Sequence, residues 1–367
     1  MPGIPFNALD RQHDPMLSAE LADAFGRVAT SGWYVLGEEV SMFEREFAAY
    51  CGVDHAIGVA NGSEALELAV AALDLPPGST VALAPNAAMY ATLAVLANGV
   101  EPSFVDVDAQ SATIDVQALA STITETTRAV IVTHLYGRMA EVEPIVALAA
   151  ARGIPVIEDC AQAHGANRDG RHAGSFGVAG CFSFYPTKNL GALGDGGAIV
   201  TSDASLAGRL RQLRQYGWAT KYDVALAHGR NSRLDELQAA MLRRKLGRLD
   251  DWNSRRRAIA GRYHAGIRHP EIRAPQRRGS DDAAHLYVVY CARRDDLRRH
   301  LSRHGIGTDV HYPIPDHRQR IFERRYDELH LPVVEMLART ALSLPCFPEL
   351  RDDETDAVID TCNSWQR

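Results

Sequence analysis

Ala129-Val130-Ile131-Val132-Thr133 and Pro155-Val156-Ile157-Glu158 are short, almost wholly apolar runs, and Val142–Ala151 between them carries apolar residues at three- and four-residue spacing. This alternation is the signal of βα units in a largely parallel sheet. Reading outward, it recurs from Ala56 to about Thr201. Further strands are predicted at Ala56–Ala60, Thr80–Ala84, Pro102–Val105, Gly180–Phe184 and Ala198–Val200, and helices at Glu64–Leu73, Tyr90–Ala97 and Gln117–Ile123. The fold class is α/β, with a mostly parallel, doubly wound sheet in a large domain.

A long basic, helix-like stretch at Leu237–Arg257 follows, and then the pattern changes to a strand at Leu286–Cys291, a charged helix at Asp295–His304 and a last helix near Asp353–Cys362. The division predicted is a large domain over 1–245 and a small α+β domain over 246–367. Arg268–Asp282, rich in Pro, Arg, Gly and Asp, reads as an exposed loop.

Thirty-nine basic residues stand against 46 acidic ones, a formal net charge of -7, which argues against a nucleic-acid footprint and leaves small molecules as the expected partners. The start of the chain lacks a basic segment followed by an apolar run, and no stretch approaches the roughly 20 apolar residues of a membrane helix, so a cytoplasmic protein is expected. The six cysteines are far apart with no C-x-x-C pair, which suits neither a zinc site nor a disulfide framework; no metal is expected.

Ligands of doubly wound sheets sit beyond the carboxyl ends of the strands. Three segments there carry candidate chemistry. Asn61-Gly62-Ser63 follows a strand and opens a helix, whose free N–H groups suit a phosphate, although a plain N-cap by Asn61 or Ser63 explains the same residues. Glu158-Asp159 ends an apolar strand, where a carboxylate can pair with a protonated ring nitrogen; a helix cap or a metal ligand are the alternatives, and His164 nearby reads equally as a packed histidine. Lys188 follows Phe184-Tyr185-Pro186-Thr187 among apolar and small residues, and a partly desolvated lysine is a nucleophilic amine able to form a Schiff base, although most lysines are surface charges. An anion site, an acid for a ring nitrogen and a reactive amine are together what pyridoxal 5'-phosphate (PLP) requires.

The chain resembles the DegT-like nucleotide-sugar aminotransferases, a branch of the fold-type I PLP enzymes. The resemblance rests on Gly37-Glu38-Glu39-Val40, Asn61-Gly62-Ser63-Glu64-Ala65-Leu66, Glu158-Asp159-Cys160-Ala161-Gln162-Ala163-His164-Gly165, Phe182-Ser183-Phe184-Tyr185-Pro186-Thr187-Lys188-Asn189 and Asn231-Ser232-Arg233-Leu234-Asp235. It implies that Lys188 bears the cofactor and shuttles protons, that Asp159 pairs with the pyridine nitrogen and that Gln162 approaches the ring hydroxyl. Gly62, Ser63 and Ser183 would hold the phosphate, joined by Asn231 of a neighbouring subunit in a homodimer with a shared active site. Where the family carries Thr and then a ring-stacking aromatic residue, this chain has Ala88-Met89, so Met89 is expected to cover the ring, with Tyr90 as the alternative. Gln215–Tyr222 and Gly305–Pro315 are most similar to enzymes that aminate C3 of dTDP-3-keto-6-deoxyhexoses. Tyr185, Tyr216, Tyr222, His311 and Tyr312 are the expected sugar-nucleotide contacts, and L-glutamate the amino donor.

Alternatives are amination of a 4-keto nucleotide sugar or a keto-cyclitol, a PLP-dependent sugar dehydratase, and a non-catalytic regulator that keeps the fold. Related dehydratases carry histidine in place of the reactive lysine, so Lys188 argues against that class. A regulator would leave Lys188, Asp159, Gln162 and Ser183 together unexplained.

Overall fold

Seven of the apolar runs pair into one sheet in the computed structural model, which describes residues 3–276 and 279–366. The strands are β1 (His55–Val59), β2 (Thr80–Leu83), β3 (Glu101–Phe104), β4 (Thr127–Thr133), β5 (Val156–Asp159), β6 (Ala179–Ser183) and β7 (Gly197–Thr201). Their order across the sheet is β1-β7-β6-β5-β4-β2-β3. Every ladder is parallel except the two that β7 makes with its neighbours, so the other six strands end on the same edge. Near-continuous burial along β4, β5 and β7 explains their unbroken Val/Ile/Ala character, because helices cover both faces of such a sheet.

The basic stretch predicted as one helix is two, Glu236–Leu246 and Leu249–Gly266. Gly247 stands at the break, where glycine is a common helix end. A residue-245 boundary therefore falls at the end of the first helix. The second helix links two cores: Leu249 packs in the large one, whereas Ile259 and Tyr263 pack in the small one with Leu297 and Leu301. Ala8 and Ile4 join that small core from the other end of the chain, with Ile4 bridged to Ile306.

The small unit is built on an antiparallel pair, Tyr287–Tyr290 with Ala341–Leu344, the second of which the sequence pattern does not predict. Side chains alternate across a strand. Tyr287 and Val289 accordingly face the small core, while Val288 and Tyr290 belong to the core of the large sheet. One strand is thus glued on both faces, which seats the small unit against the strand ends. Of the predicted loop Arg268–Asp282, Arg277 and Arg278 lie outside the described residues; Arg273 bridges Tyr290.

Candidate active site

A cavity of about 480 Å³ opens at the carboxyl ends of the parallel strands, and its wall includes Gly62, Ser63, Asp159, Gln162, Ser183, Tyr185 and Lys188. Each arrives by a short route from a strand end.

Asn61 caps the helix Gly62–Ala72, its Oδ1 accepting the Glu64 N–H at 2.9 Å. The cap and the anion-site readings are compatible, because capping leaves the N–H groups of Gly62 and Ser63 without partners inside the helix. A Cβ on Gly62 would lie 2.5 Å from Ser183 Cβ, and one on Gly197 2.5 Å from the Asn61 carbonyl. Glycine at both positions lets the helix start close against β6 and β7. Two N–H groups, the positive helix end and the Ser183 hydroxyl then converge on one place, which is the chemistry of an anion cradle.

Glu158 and Asp159 point to opposite sides of β5 and meet opposite fates. Glu158 is fully buried and accepts from His134 Nε2 (2.8 Å) and from the N–H groups of Gly174 (2.9 Å), Phe176 (2.7 Å) and Gly177 (2.7 Å). Burial alone would raise its pKa, but these hydrogen bonds outweigh burial and hold it low. Cys160 approaches this pair, yet both His134 nitrogens are already bonded, Nδ1 to the Ala140 N–H at 3.1 Å, so the cluster is accounted for as a hydrogen-bond network. Asp159 lies in the cavity wall, held by Thr133 Oγ1 at 3.2 Å and the Ala161 N–H at 3.1 Å. Burial raises its pKa against the pull of those bonds and of Lys188. Burial thus outweighs the two hydrogen bonds and the nearby Lys188 charge.

Lys188 follows β6 in a turn closed by its own N–H to the Tyr185 carbonyl at 2.8 Å. Burial lowers the amine pKa, opposed by Asp159. Its neighbour Asn189 fixes the turn: Nδ2 donates to Asn253 Oδ1 (2.7 Å) and to the Ala283 carbonyl (2.9 Å), and Oδ1 meets His285 Nδ1 at 2.9 Å. Buried Lys245 donates to the Gly191 carbonyl at 2.9 Å. The reactive amine therefore sits on a rigid support. His164 is packed between Phe182 and Phe184 (ring centroids 5.3 and 5.8 Å), and burial lowers its pKa to about 3, so it is a neutral packing residue.

A second cavity of about 320 Å³ adjoins the first and shares Tyr90, Tyr185 and Lys188 with it; His311 and Tyr312 lie in its wall. Gln162 ties the two together, accepting the Tyr136 N–H at 2.6 Å and donating to Tyr312 Oη at 3.0 Å.

The expectation for Met89 is corrected. Its side chain is buried in the sheet core, and Tyr90, which is half exposed, lines both cavities instead. The reason lies in the backbone: Ala88 and Met89 both adopt left-handed conformation (φ +56° and +68°), turning Met89 inward just before the helix Tyr90–Ala97 begins. Tyr216, Tyr222 and Asn231 line neither cavity. They lie on an exposed rim, where the Trp218 ring meets Tyr216 tilted at 4.9 Å and Tyr222 edge-on at 5.3 Å, and Tyr222 is 77% exposed.

Residues 15–363 match the model of the DegT/DnrJ/EryC1/StrS aminotransferase family. This chain belongs to that family. It is 44% identical over 367 residues to the dTDP-3-amino-3,4,6-trideoxy-alpha-D-glucose transaminase of Streptomyces venezuelae, covering 99% of this chain and 96% of that one. It is 45% identical over 365 residues to the dTDP-3-amino-3,6-dideoxy-alpha-D-galactopyranose transaminase of Aneurinibacillus thermoaerophilus, covering 99% of each. The crystal structure of S. venezuelae DesV in complex with a ketimine intermediate superposes with a TM-score of 0.94 at 44% identity, covering 100% of this chain and 99% of that one. The protein is thus a sugar aminotransferase of the fold-type I architecture, and its cofactor is PLP.

The aminotransferase's own residues suit that cofactor. The cradle of Gly62, Ser63 and Ser183 fits its phosphate, the buried acid Asp159 fits a protonated ring nitrogen, and the desolvated Lys188 amine fits its aldehyde. Sequence reasoning missed Thr133, Asn189 and His285 as supports. Asn189 was legible as a polar residue inside an apolar motif; Thr133 and His285 carry no local signal, because strand register and the domain contact bring them in.

Proposed function

We propose that this aminotransferase moves the amino group of L-glutamate to C3 of a dTDP-3-keto-6-deoxyhexose. The observation that carries the reading is the placement of Lys188 on the wall shared by two cavities. One cavity holds the anion cradle and Asp159, and the other is bounded by His311 and Tyr312. PLP, when bound, supplies an electron sink for the carbon that loses or gains nitrogen. Asp159 would keep a proton on the ring nitrogen, the Gly62–Ser63 helix start and Ser183 would hold the phosphate, and Tyr90 would cover the ring. Lys188 Nζ, its pKa lowered by burial, takes and returns the proton at the substrate carbon in both halves of a ping-pong cycle. His311, Tyr312 and Tyr185 border the space for the sugar. Two relatives whose names specify 3-amino dTDP sugars, one with and one without a hydroxyl at C4, support C3.

In the same proposal the working unit is a homodimer, in which Asn231, Tyr216 and Tyr222 of each subunit complete the site of the other. Their exposure on a rim supports this, as does a further exposed stretch at Trp33-Tyr34-Val35. The six cysteines are buried and unpaired, which supports a reducing cytoplasmic location. No helix among the described residues is long and apolar enough to cross a membrane.

The deciding experiment gives the PLP-loaded protein glutamate and, in turn, 3-keto and 4-keto sugars linked to dTDP, UDP and GDP, and a keto-cyclitol, with amino-product formation followed by mass spectrometry. The 3-keto dTDP sugars are expected to react at least about 100-fold faster than the rest by kcat/KM. Preference for a 4-keto sugar or the cyclitol overturns the C3 assignment.

A further inference from the structure

We propose that Asp316 is a positioning residue that holds Tyr90 at the cofactor cavity by gripping the helix start that carries it. The inference rests on the reading above that Tyr90 covers the PLP ring.

The helix Tyr90–Ala97 begins without a capping side chain of its own: its N-cap is Met89, which makes no side-chain cap. Helix starts usually take Ser, Thr, Asp or Asn there, so the free N–H groups need another acceptor. Asp316, 227 residues away, supplies it. Its Oδ1 accepts the Met89 N–H at 2.9 Å and its Oδ2 accepts the Thr92 hydroxyl at 2.6 Å, while its own N–H donates to the Pro85 carbonyl at 2.8 Å. The carboxylate is 1% exposed. A buried carboxylate is costly unless hydrogen-bonded, and left-handed backbone at Ala88 and Met89 is costly for residues with a Cβ. Each unfavourable element is satisfied by the other.

The clamp has a direction. Asp316 closes the segment Tyr312-Pro313-Ile314-Pro315-Asp316, whose other end reaches Gln162 through the Tyr312 hydroxyl. The small unit therefore grips the cavity twice, once at Gln162 and once at the turn that presents Tyr90. Removing the carboxylate frees the turn, and Tyr90 loses its fixed place while Lys188 and the cradle keep theirs.

The test compares Asp316→Ala, Asp316→Asn and Thr92→Val. Asparagine can accept the Met89 N–H and donate to the Thr92 hydroxyl, so it should rescue. Hydrogen exchange of the apo protein is expected to speed up at least about 10-fold at the amides of residues 89–92 in Asp316→Ala, with β5 and β6 unchanged. The dissociation constant for PLP, from absorbance titration, should rise about 10-fold, and Asp316→Asn should stay within about 3-fold of the native protein. Thr92→Val, which removes one bond and no charge, should fall between and serves if Asp316→Ala does not fold. Unchanged exchange at 89–92 overturns the clamp, and so does failure of asparagine to rescue. Faster exchange with unchanged PLP affinity overturns the role of Tyr90 alone, and neither readout depends on which sugar is aminated.

Discussion

The floor and the rim of this site are built on different principles. On the floor, Lys188, Asp159, Gly62 and Ser183 come from strand ends of one chain, are mostly buried, and are fixed by neighbours such as Asn189 and Thr133. On the rim, Tyr216, Tyr222 and Asn231 are exposed and reach neither cavity. The floor is complete within one chain; the rim makes sense as half of something. Chemistry should therefore be lost outright by changes to the floor and lost in a rescuable way by changes to the rim.

The largest effect should follow Lys188→Ala, with turnover reduced at least about 10³-fold in coupled assays and no cofactor mass retained after borohydride reduction. Retention of either would place the reactive amine elsewhere. Asp159→Asn should cost about 10²-fold in turnover, yet raise the melting temperature of the apo protein at pH 8 by about 1–2 °C, because a carboxyl held unfavourably by burial is replaced by a neutral amide. A lower apo melting temperature would mean that the acid is a stabilising group. On the rim, Asn231→Ala should weaken activity about 10-fold, and mixing it with Lys188→Ala after dissociation should recover roughly a quarter of the native sites, since one site of each mixed dimer is intact. No recovery would show that Asn231 acts within its own subunit.

The smallest effect concerns pH. His164 is neutral in the folded floor, its pKa lowered from 6.5 to about 3 by burial. Its contribution to stability is therefore present above pH 6.5 and is lost as pH falls towards 3, because the unfolded chain binds the proton first. Denaturant titrations between pH 7.5 and 5 should show stability falling on the order of 1 kcal/mol more in the native protein than in His164→Phe. Parallel curves would exclude His164 as a source.

The floor was readable in the sequence for a physical reason. Strand-end residues are announced by the apolar runs before them, so the pair Glu158-Asp159 and Lys188 stand out where β5 and β6 stop, whereas Ser183 is singled out only by the family resemblance. What the neighbouring residues alone do not carry is long-range information. Whether Glu158 or Asp159 faces the cavity depends on strand register and on N–H groups near residue 175, and Met89 turned inward because Asp316 from a remote segment supports a backbone that neither Ala88 nor Met89 favours. The break at Gly247 splits a helix whose two halves look continuous in composition. The strand Ala341–Leu344 was too short to be distinguished from the helix end before it.

The antiparallel strand β7 lies between β1 and β6, and Gly197 at its start packs directly beneath Asn61. The two sides of the phosphate cradle are thus never sheet neighbours; within the sheet they are joined through a strand that comes later in the chain than both. On the ribosome, the helix start at Gly62 emerges early, but β1, the strand it follows, has no sheet neighbour until β7 has been made and slotted in. Long-range pairings of this kind form slowly. A cradle built this way is complete only once the last strand of the central sheet is in place.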